Sequence, residues 1–381
     1  MSFYLLEEEL FNEASLPWGG RFHIQLDSEL GIYLEGLKAT MQRIIDIHQS
    51  NLNSKPHINK MPNIHFEFID NSNFNARAFS YKGMEFIGLN IGVVFILHDV
   101  FERMLANRGI LSKIGNIDQE DINPERLPFL TTDSQVLLEF YQSEQLKEIT
   151  LPKNGIRKDY AQLLVMTAIL FLLYHELTHH TNGHVELKNE LTGSSYMDED
   201  EPDTSGRITP LMNKTLEMDA DAGATVLGLQ AILHLFQHSD ESKPFHSSFT
   251  TIEESAIETW GFAVGVLFYL SEYRRRIAQT NFQSYYPNPH QRLIMSLATA
   301  LTFLGLSYNE EILWSTLKDI GQKSRDAIDK IIKSKFEIID KEAYIKELMD
   351  QSYQKEILKE WKENLRPRLL PFARCNLAPA Q

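Results

Sequence analysis

Two histidines four residues apart give this chain its clearest chemical signature. His175 and His179 stand in the segment His-Glu-Leu-Thr-His. Side chains at i and i+4 of a helix share one face, so both imidazoles can reach one metal ion at ~2.0–2.1 Å. Glu176 follows the first histidine and can take a proton from a metal-activated water. The pattern predicts a Zn²⁺ site with Glu176 as the general base of a hydrolase.

A zinc site of this kind needs a third protein ligand. His180 follows His179 directly and points about 100° away on a helix, which favours a surface or outer position for it. His184 lies nine residues beyond the first ligand. A metzincin would have Gly at position 182 and His at position 185, but the chain has Asn182 and Val185. The third ligand is therefore expected elsewhere.

A later segment supplies two carboxylates at helical spacing, Glu217 and Asp221. We expect Glu217 to ligate the metal and Asp221 to accept a hydrogen bond from a ligand imidazole, which would fix the ring orientation. Ala220, Gly223 and Ala224 are small and allow this helix to approach the first one closely. The alternative is that both acids lie on a solvated helix face.

These motifs resemble the gluzincin metallopeptidases related to the CAAX prenyl protease and the bacterial HtpX protease. The segment Asn75–Ala78, followed by Met84–Asn90 and Gly92, is similar to the family's Asn-Ala-x-Ala edge strand and closing glycine. In the family this strand binds the substrate backbone by strand addition. The resemblance implies a protein or peptide substrate and a substrate-holding role for Asn75.

The family also carries a His-Pro segment with an arginine six residues after the histidine. Here Pro287 and Arg292 match, while Tyr286 replaces the histidine. The resemblance implies that Tyr286 stabilises the oxyanion through its hydroxyl, with His290 as the alternative donor. Arg292 is expected in the outer layer of the site, and a structural ion pair with Asp221 is the alternative for it.

The resemblance covers roughly residues 63–300 and lacks the membrane spans of the prenyl and HtpX proteases, so it implies a soluble variant. In general plan the chain is also similar to the soluble phage-exclusion proteases of the Lit type. It is expected to divide into a mostly helical N-terminal extension (1–60), a zincin-like metallopeptidase domain (61–305) and a C-terminal helical extension (306–381).

Hydrophobic periodicity predicts the elements that position these residues. The fold class is α+β and mainly helical, with a zincin-like (gluzincin) core and a small mixed sheet packed on the active-site helices. Residues 187–209 read as a polar loop. The predicted strands and helices are Asn63–Ile69, Ala76–Ser80, Met84–Asn90, Leu30–Asn51, Val93–Met104, Lys158–Thr181, Pro210–Gln237, Glu253–Ala278, Gln291–Leu304 and Glu310–Leu365.

Composition narrows the function classes. The 381 residues carry a net charge of −15, which does not suit a nucleic-acid binder. Cys375 is the single cysteine, so no internal disulfide forms and no cysteine zinc site can be built. We interpret it as a stray residue in a mobile tail, and a reactive thiol is the alternative. No signal peptide is recognised, and three apolar stretches are shorter than the ~20 residues of a membrane span. A cytoplasmic protein without stable membrane insertion is expected.

Two other functions stay open at this point. The first is a catalytically inactive zincin-scaffold protein with a binding or regulatory role. The second is a metal-dependent hydrolase of a non-peptide substrate, because ligands alone do not define the substrate. The oligomeric state does not follow from the sequence.

Overall fold

The computed structural model describes residues 2–56, 59–121, 151–198, 206–247, 249–277, 287–305, 310–331 and 352–379. The described chain is mainly helical with one four-stranded sheet. The elements are α1 (Ser2–Ser15), α2 (Glu29–Asn53), β1 (Ile64–Ile69), β2 (Ala76–Tyr81), β3 (Met84–Asn90), α3 (Ile91–Leu105), α4 (Gly155–Thr181), α5 (His184–Thr192), β4 (Tyr196–Asp198), α6 (Pro210–His238), α7 (Lys243–His246), α8 (Ile252–Ile277), α9 (Pro289–Phe303), α10 (Glu310–Ile331), α11 (Ser352–Glu360) and α12 (Arg366–Leu369). The α+β prediction is confirmed at this level.

The sheet is mixed, in the order β1-β3-β2-β4. β1 runs parallel to β3, and β2 runs antiparallel to both β3 and β4. The three strands predicted from the sequence are observed within one residue of their expected bounds. β1 is buried along its whole length because helices α1 and α2 pack against it.

The strand order corrects the expected edge. β3 (Met84–Asn90) pairs with β1 on one side and β2 on the other, so it is central and cannot accept an added strand. The neighbouring position beside β2 is taken by β4 over Arg77–Phe79. Residues 187–209 were expected to form a loop; instead, some of this segment forms α5 and β4. Pairing to β2 holds the short strand β4 in place, and no local sequence pattern predicts this strand.

Side-chain caps begin the three helices that carry the predicted site. Asn154 accepts a hydrogen bond from the Arg157 amide at the start of α4. The Thr209 side chain accepts from the amide three residues on at the start of α6, and the Asn288 side chain does so at the start of α9. Each of these caps is followed by a proline at the first helical position. Such caps satisfy amide groups that have no partner inside the helix.

Helix α4 lies at the centre of the molecule and packs against α3, α6 and α8. It is long and apolar enough to cross a membrane by length and composition, but most of that stretch is buried inside the protein. Large apolar side chains such as Phe171, Trp260 and Phe262 fill the core around it. Its apolar character is therefore accounted for by the protein core.

Two apolar side chains near the C-terminus pack inward. Ile357 and Trp361 are buried, and α11 with the following π-helical turn Trp361–Leu365 packs against α6. Within the amphipathic segment Glu310–Leu365, the structure describes α10 and α11, and residues 332–351 lie outside the described regions of the chain.

Candidate metal centre

The histidine motif lies in the buried last two turns of α4. His175 and His179 are each 1% exposed, and Glu176 is 4% exposed. Across from them, α6 presents Glu217, which is 2% exposed. Burying two imidazoles and two carboxylates is costly unless each is paired or coordinates a metal, so this position needs a chemical explanation.

Three side chains converge on one point. The Nε2 atoms of His175 and His179 lie 3.1 Å apart, and the Glu217 carboxylate lies 3.2 Å from the first and 3.9 Å from the second. All three ligand atoms fall within 4.8 Å of one another. A tetrahedral zinc ion with bonds of ~2.0–2.1 Å separates neighbouring ligand atoms by roughly 3.3–3.4 Å. The distances and the donor types therefore fit such an ion, and we call these three residues the metal cluster.

A close crossing of two helices brings Glu217 to the histidines. A Cβ atom at Gly223 of α6 would lie 2.4 Å from the Thr178 Oγ1 atom of α4, so no larger residue fits there without displacement. The Thr178 hydroxyl is itself held, because it donates to the Tyr174 carbonyl oxygen at 2.7 Å. The small residues noted in the sequence thus set the distance between the two ligand-bearing helices.

His175 is oriented by a carboxylate. Its Nδ1 atom lies 2.9 Å from Asp221 Oδ1, which leaves Nε2 facing the metal cluster. Arg292 donates to the same carboxylate through two nitrogens, at 2.8 and 2.7 Å, and its guanidinium stacks 4.5 Å from the ring centre of Phe268. The structure thus places Asp221 and Arg292 together, in the ion-pair arrangement that the sequence left as the alternative for Arg292.

His179 is oriented by a second imidazole. Its Nδ1 lies 2.8 Å from His184 Nδ1, and His184 Nε2 lies 3.1 Å from Asp219 Oδ2. The sequence reasoning tested His184 only as a metal ligand and overlooked Asp219. A usable signal was the Asn182-Gly183 stop: Gly183 takes a left-handed φ of 82°, which turns the chain back and places the next residue beneath the helix end.

These contacts shift several pKa values. Burial lowers the pKa of His175, but hydrogen bonds and charge from Asp221 and Glu217 outweigh it and raise this pKa well above its ordinary value. Burial and the neighbouring charge on His175 lower the pKa of His179 well below its ordinary value. Burial raises the pKa of Asp221, yet Arg292 and His175 reverse this and lower it. A metal at His175 must replace a firmly held proton, so affinity falls with falling pH.

Glu176 faces a small cavity beside the metal cluster. Asn75, at the start of β2, contributes to the wall of the same cavity, so the structure brings together two residues that lie about a hundred positions apart. The remaining lining is largely apolar and consists of Phe74, Ala76, Leu172, Leu267, Phe268, Ser271 and Arg292. Glu176 and Asn75 therefore line one cavity, which is what their proposed cooperation requires.

The two predicted oxyanion donors have different outcomes. Tyr286 lies outside the described residues, so its role stays a prediction. His290 is buried in α9, with its Nδ1 atom 3.0 Å from the Tyr269 hydroxyl. Within the described regions of the chain, His290 belongs neither to the metal cluster nor to the cavity wall beside Glu176.

A second buried cluster adjoins the metal cluster on another face of α4, and His180 is its centre. This histidine is fully buried, so a surface position for it is wrong. Its Nε2 lies 2.9 Å from the Phe86 carbonyl oxygen and its Nδ1 lies 2.9 Å from Glu85. Arg374 donates to both Glu85 oxygens at 2.5 and 3.1 Å and also pairs with Glu186. We call Glu85, His180, Glu186 and Arg374 the tail cluster.

The segment around Arg374 also caps α4. The Arg374 amide donates to the Thr181 carbonyl oxygen at 2.8 Å, and its guanidinium donates to the His180 carbonyl oxygen at 2.7 Å. Cys375 follows, and its thiol lies 3.0 Å from Asn182 Oδ1. Burial raises the pKa of this thiol to about 11. The interpretation of Cys375 as a stray residue in a mobile tail is therefore wrong.

No protein-family model, curated protein or solved structure matches the chain. The function must therefore be argued from the geometry of the site.

Proposed function

We propose that this protein is a zinc-dependent endopeptidase of the gluzincin type. The observation that carries the proposal is the convergence of His175, His179 and Glu217 at metal-ligand distances, with Glu176 beside them on the wall of a cavity. Imidazole nitrogens and a carboxylate oxygen are the ligands of many catalytic zinc sites, which keep a fourth position open for water or substrate. The zincin-like description of the core belongs to this proposal.

Each residue then has a chemical task. When bound, zinc would polarise the scissile carbonyl and lower the pKa of a coordinated water toward ~7. Glu176 accepts the proton of the attacking water and returns it to the leaving amine. Asp221 holds His175 in the tautomer that exposes Nε2, and Arg292 keeps the Asp221 carboxylate charged. Asn75 hydrogen-bonds the substrate backbone from across the cavity.

The position of the sheet limits how a peptide substrate can bind. β2 begins at Ala76, beside Glu176 in the cavity wall, and its described pairing with β4 starts at Arg77. Beyond Ala76 both sides of β2 are occupied, by β3 and by β4, so strand addition along β2 does not belong to the proposal. We propose instead that a peptide backbone lies across the cavity, where its amide groups hydrogen-bond the Asn75 side chain.

The test compares wild type with Glu176→Gln and with Glu190→Gln, the same chemical change at an exposed position of α5. Zinc content of each purified protein is measured by mass spectrometry. Each protein is then incubated with a cell lysate, and new protein N-termini are mapped. We expect equal zinc in all three, with cleavage lost in Glu176→Gln and retained in Glu190→Gln.

Full proteolysis by Glu176→Gln would overturn the proposed mechanism. Zinc binding without cleavage by any of the three proteins would favour the inactive-scaffold alternative. His175→Ala removes one ligand and is the control for zinc bound elsewhere. If wild type takes up no more zinc than His175→Ala, the proposal loses its basis.

A further inference from the structure

A chain of hydrogen-bonding groups leads away from the metal cluster through His184. It runs from His179 to His184 at 2.8 Å and from His184 to Asp219 at 3.1 Å. His184 is fully buried. Asp219 also accepts from the Asn182 side chain at 2.5 Å. Each group is therefore held from two sides, so the chain is a constrained element of the structure.

The proton positions along this chain follow from the metal site. If His179 binds metal through Nε2, its proton must be on Nδ1, and that N–H donates to His184 Nδ1. His184 then carries its own proton on Nε2, which donates to the Asp219 carboxylate. Every group has one role, and consecutive hydrogen bonds pointing the same way strengthen one another.

The two histidine ligands are thus oriented by different means. Asp221 contacts His175 directly and is itself neutralised by Arg292. For His179 the carboxylate is that of Asp219, and the neutral imidazole of His184 lies between the two. We propose that His184 and Asp219 are positioning residues for His179, fixing its tautomer and ring orientation for metal binding. This inference rests on the proposed metal site.

The backbone explains how His184 reaches this position. Gly183 has a left-handed conformation with φ 82° and ends the reversal after α4, so that α5 begins at His184. An added Cβ at Gly183 would lie 2.5 Å from the Phe372 Cβ atom. The turn is therefore compact, and α6 supplies Asp219 from two residues beyond the third ligand Glu217.

The test measures zinc affinity by competition with a chromophoric chelator for four proteins: wild type, His184→Leu, His184→Asn and Asp219→Asn. Loss of an outer hydrogen-bond partner typically weakens metal affinity ~10–100-fold, which we expect for His184→Leu. In His184→Asn the amide oxygen can replace Nδ1 as acceptor, so the loss should be smaller than ~10-fold. The loss of zinc affinity in Asp219→Asn should lie between the losses in the two His184 variants.

A second measurement separates positioning from folding. Two-bond ¹H–¹⁵N spectra report the tautomer of each histidine, and zinc-loaded wild type should show His179 protonated at Nδ1 and His184 at Nε2. His184→Leu with wild-type affinity, or His184→Asn as weak as His184→Leu, would overturn the inference. If the wild type binds no zinc, the proposed function fails; if the wild type binds zinc but His184 variants do not differ, this inference alone fails.

Discussion

The metal cluster and the tail cluster occupy neighbouring faces of the same turn of α4, since His179 and His180 are adjacent. Both clusters bury imidazoles with carboxylates. In the tail cluster the chain provides a permanent cation, Arg374, which contacts Glu85, Glu186 and the helix end. In the metal cluster, two imidazole Nε2 atoms lie 3.1 Å apart beside Glu217. Such a group of atoms can bind a cation that exchanges with solvent.

The difference between the clusters shows how a buried polar group of residues can be interpreted. An arginine cannot leave, so a cluster built on it is a fixed element of the fold. A cluster whose basic nitrogens face each other needs a proton or a metal between them, and either can be exchanged with solvent. By this criterion the tail cluster is a fixed part of the fold, and the metal cluster is the one suited to the function proposed for this protein.

The largest expected effect is the loss of the fixed cation. Arg374→Leu leaves the buried Glu85 and the half-buried Glu186 without their guanidinium and removes the cap on the His180 carbonyl. Breaking a buried ion pair from one side costs about 3–5 kcal/mol. We expect urea denaturation to show this decrease in the free energy of unfolding with and without zinc. Unchanged stability would contradict a structural role for the tail cluster.

Removal of the exchangeable cation should have a smaller effect that depends on zinc concentration. A ligand at 100 times its dissociation constant stabilises the folded state by about 2.7 kcal/mol. Chelator treatment should therefore lower the melting temperature of wild type and of Arg374→Leu alike, as followed by calorimetry. His179→Ala is the matched control, and a chelator effect of equal size in that variant would show that zinc acts elsewhere.

The smallest expected effect is on pH dependence. Burial raises the pKa of Glu85, but His180 and Arg374 outweigh it and lower this pKa. A carboxyl group with a lowered folded-state pKa stabilises the fold above its unfolded pKa of about 4.3 and loses that contribution as pH falls through the folded pKa. Zinc release requires only histidine protonation and should begin at higher pH.

Two acid transitions are therefore expected, with zinc release first and loss of the tail cluster second. Zinc release can be followed with a fluorescent indicator, and unfolding by circular dichroism. Glu85→Gln should flatten the second transition and leave the first unchanged. A single transition at one pH, seen by both methods, would mean that the two clusters are coupled more tightly than their contacts indicate.

The features of the site that could be predicted from the sequence are those set by helical spacing. His175 and His179 share a face at i and i+4, and Glu217 and Asp221 repeat the same spacing on α6. Local alternation also located three strands closely. These features depend on a few neighbouring residues, which is why the sequence alone is enough to predict them.

The features that were missed depend on contacts between distant segments. The central position of β3 follows from strand order, which alternation does not encode. His184 reaches His179 only because the chain reverses at Gly183, and Arg374 reaches His180 across 194 positions of sequence. Resemblance to a family motif singled out Asn75 as a site residue, but it could not show that β4 pairs with β2.

The contact between Gly223 and Thr178 has a consequence for which substitutions the site tolerates. One helix backbone lies directly against a side chain of the other, and a Cβ atom at position 223 would lie 2.4 Å from the Thr178 Oγ1 atom. A residue larger than glycine there would have to move α6 away from α4 and carry the Glu217 backbone away from the two imidazoles. A position that bears no side chain and lies outside the metal cluster is therefore as sensitive to substitution as the cluster residues themselves.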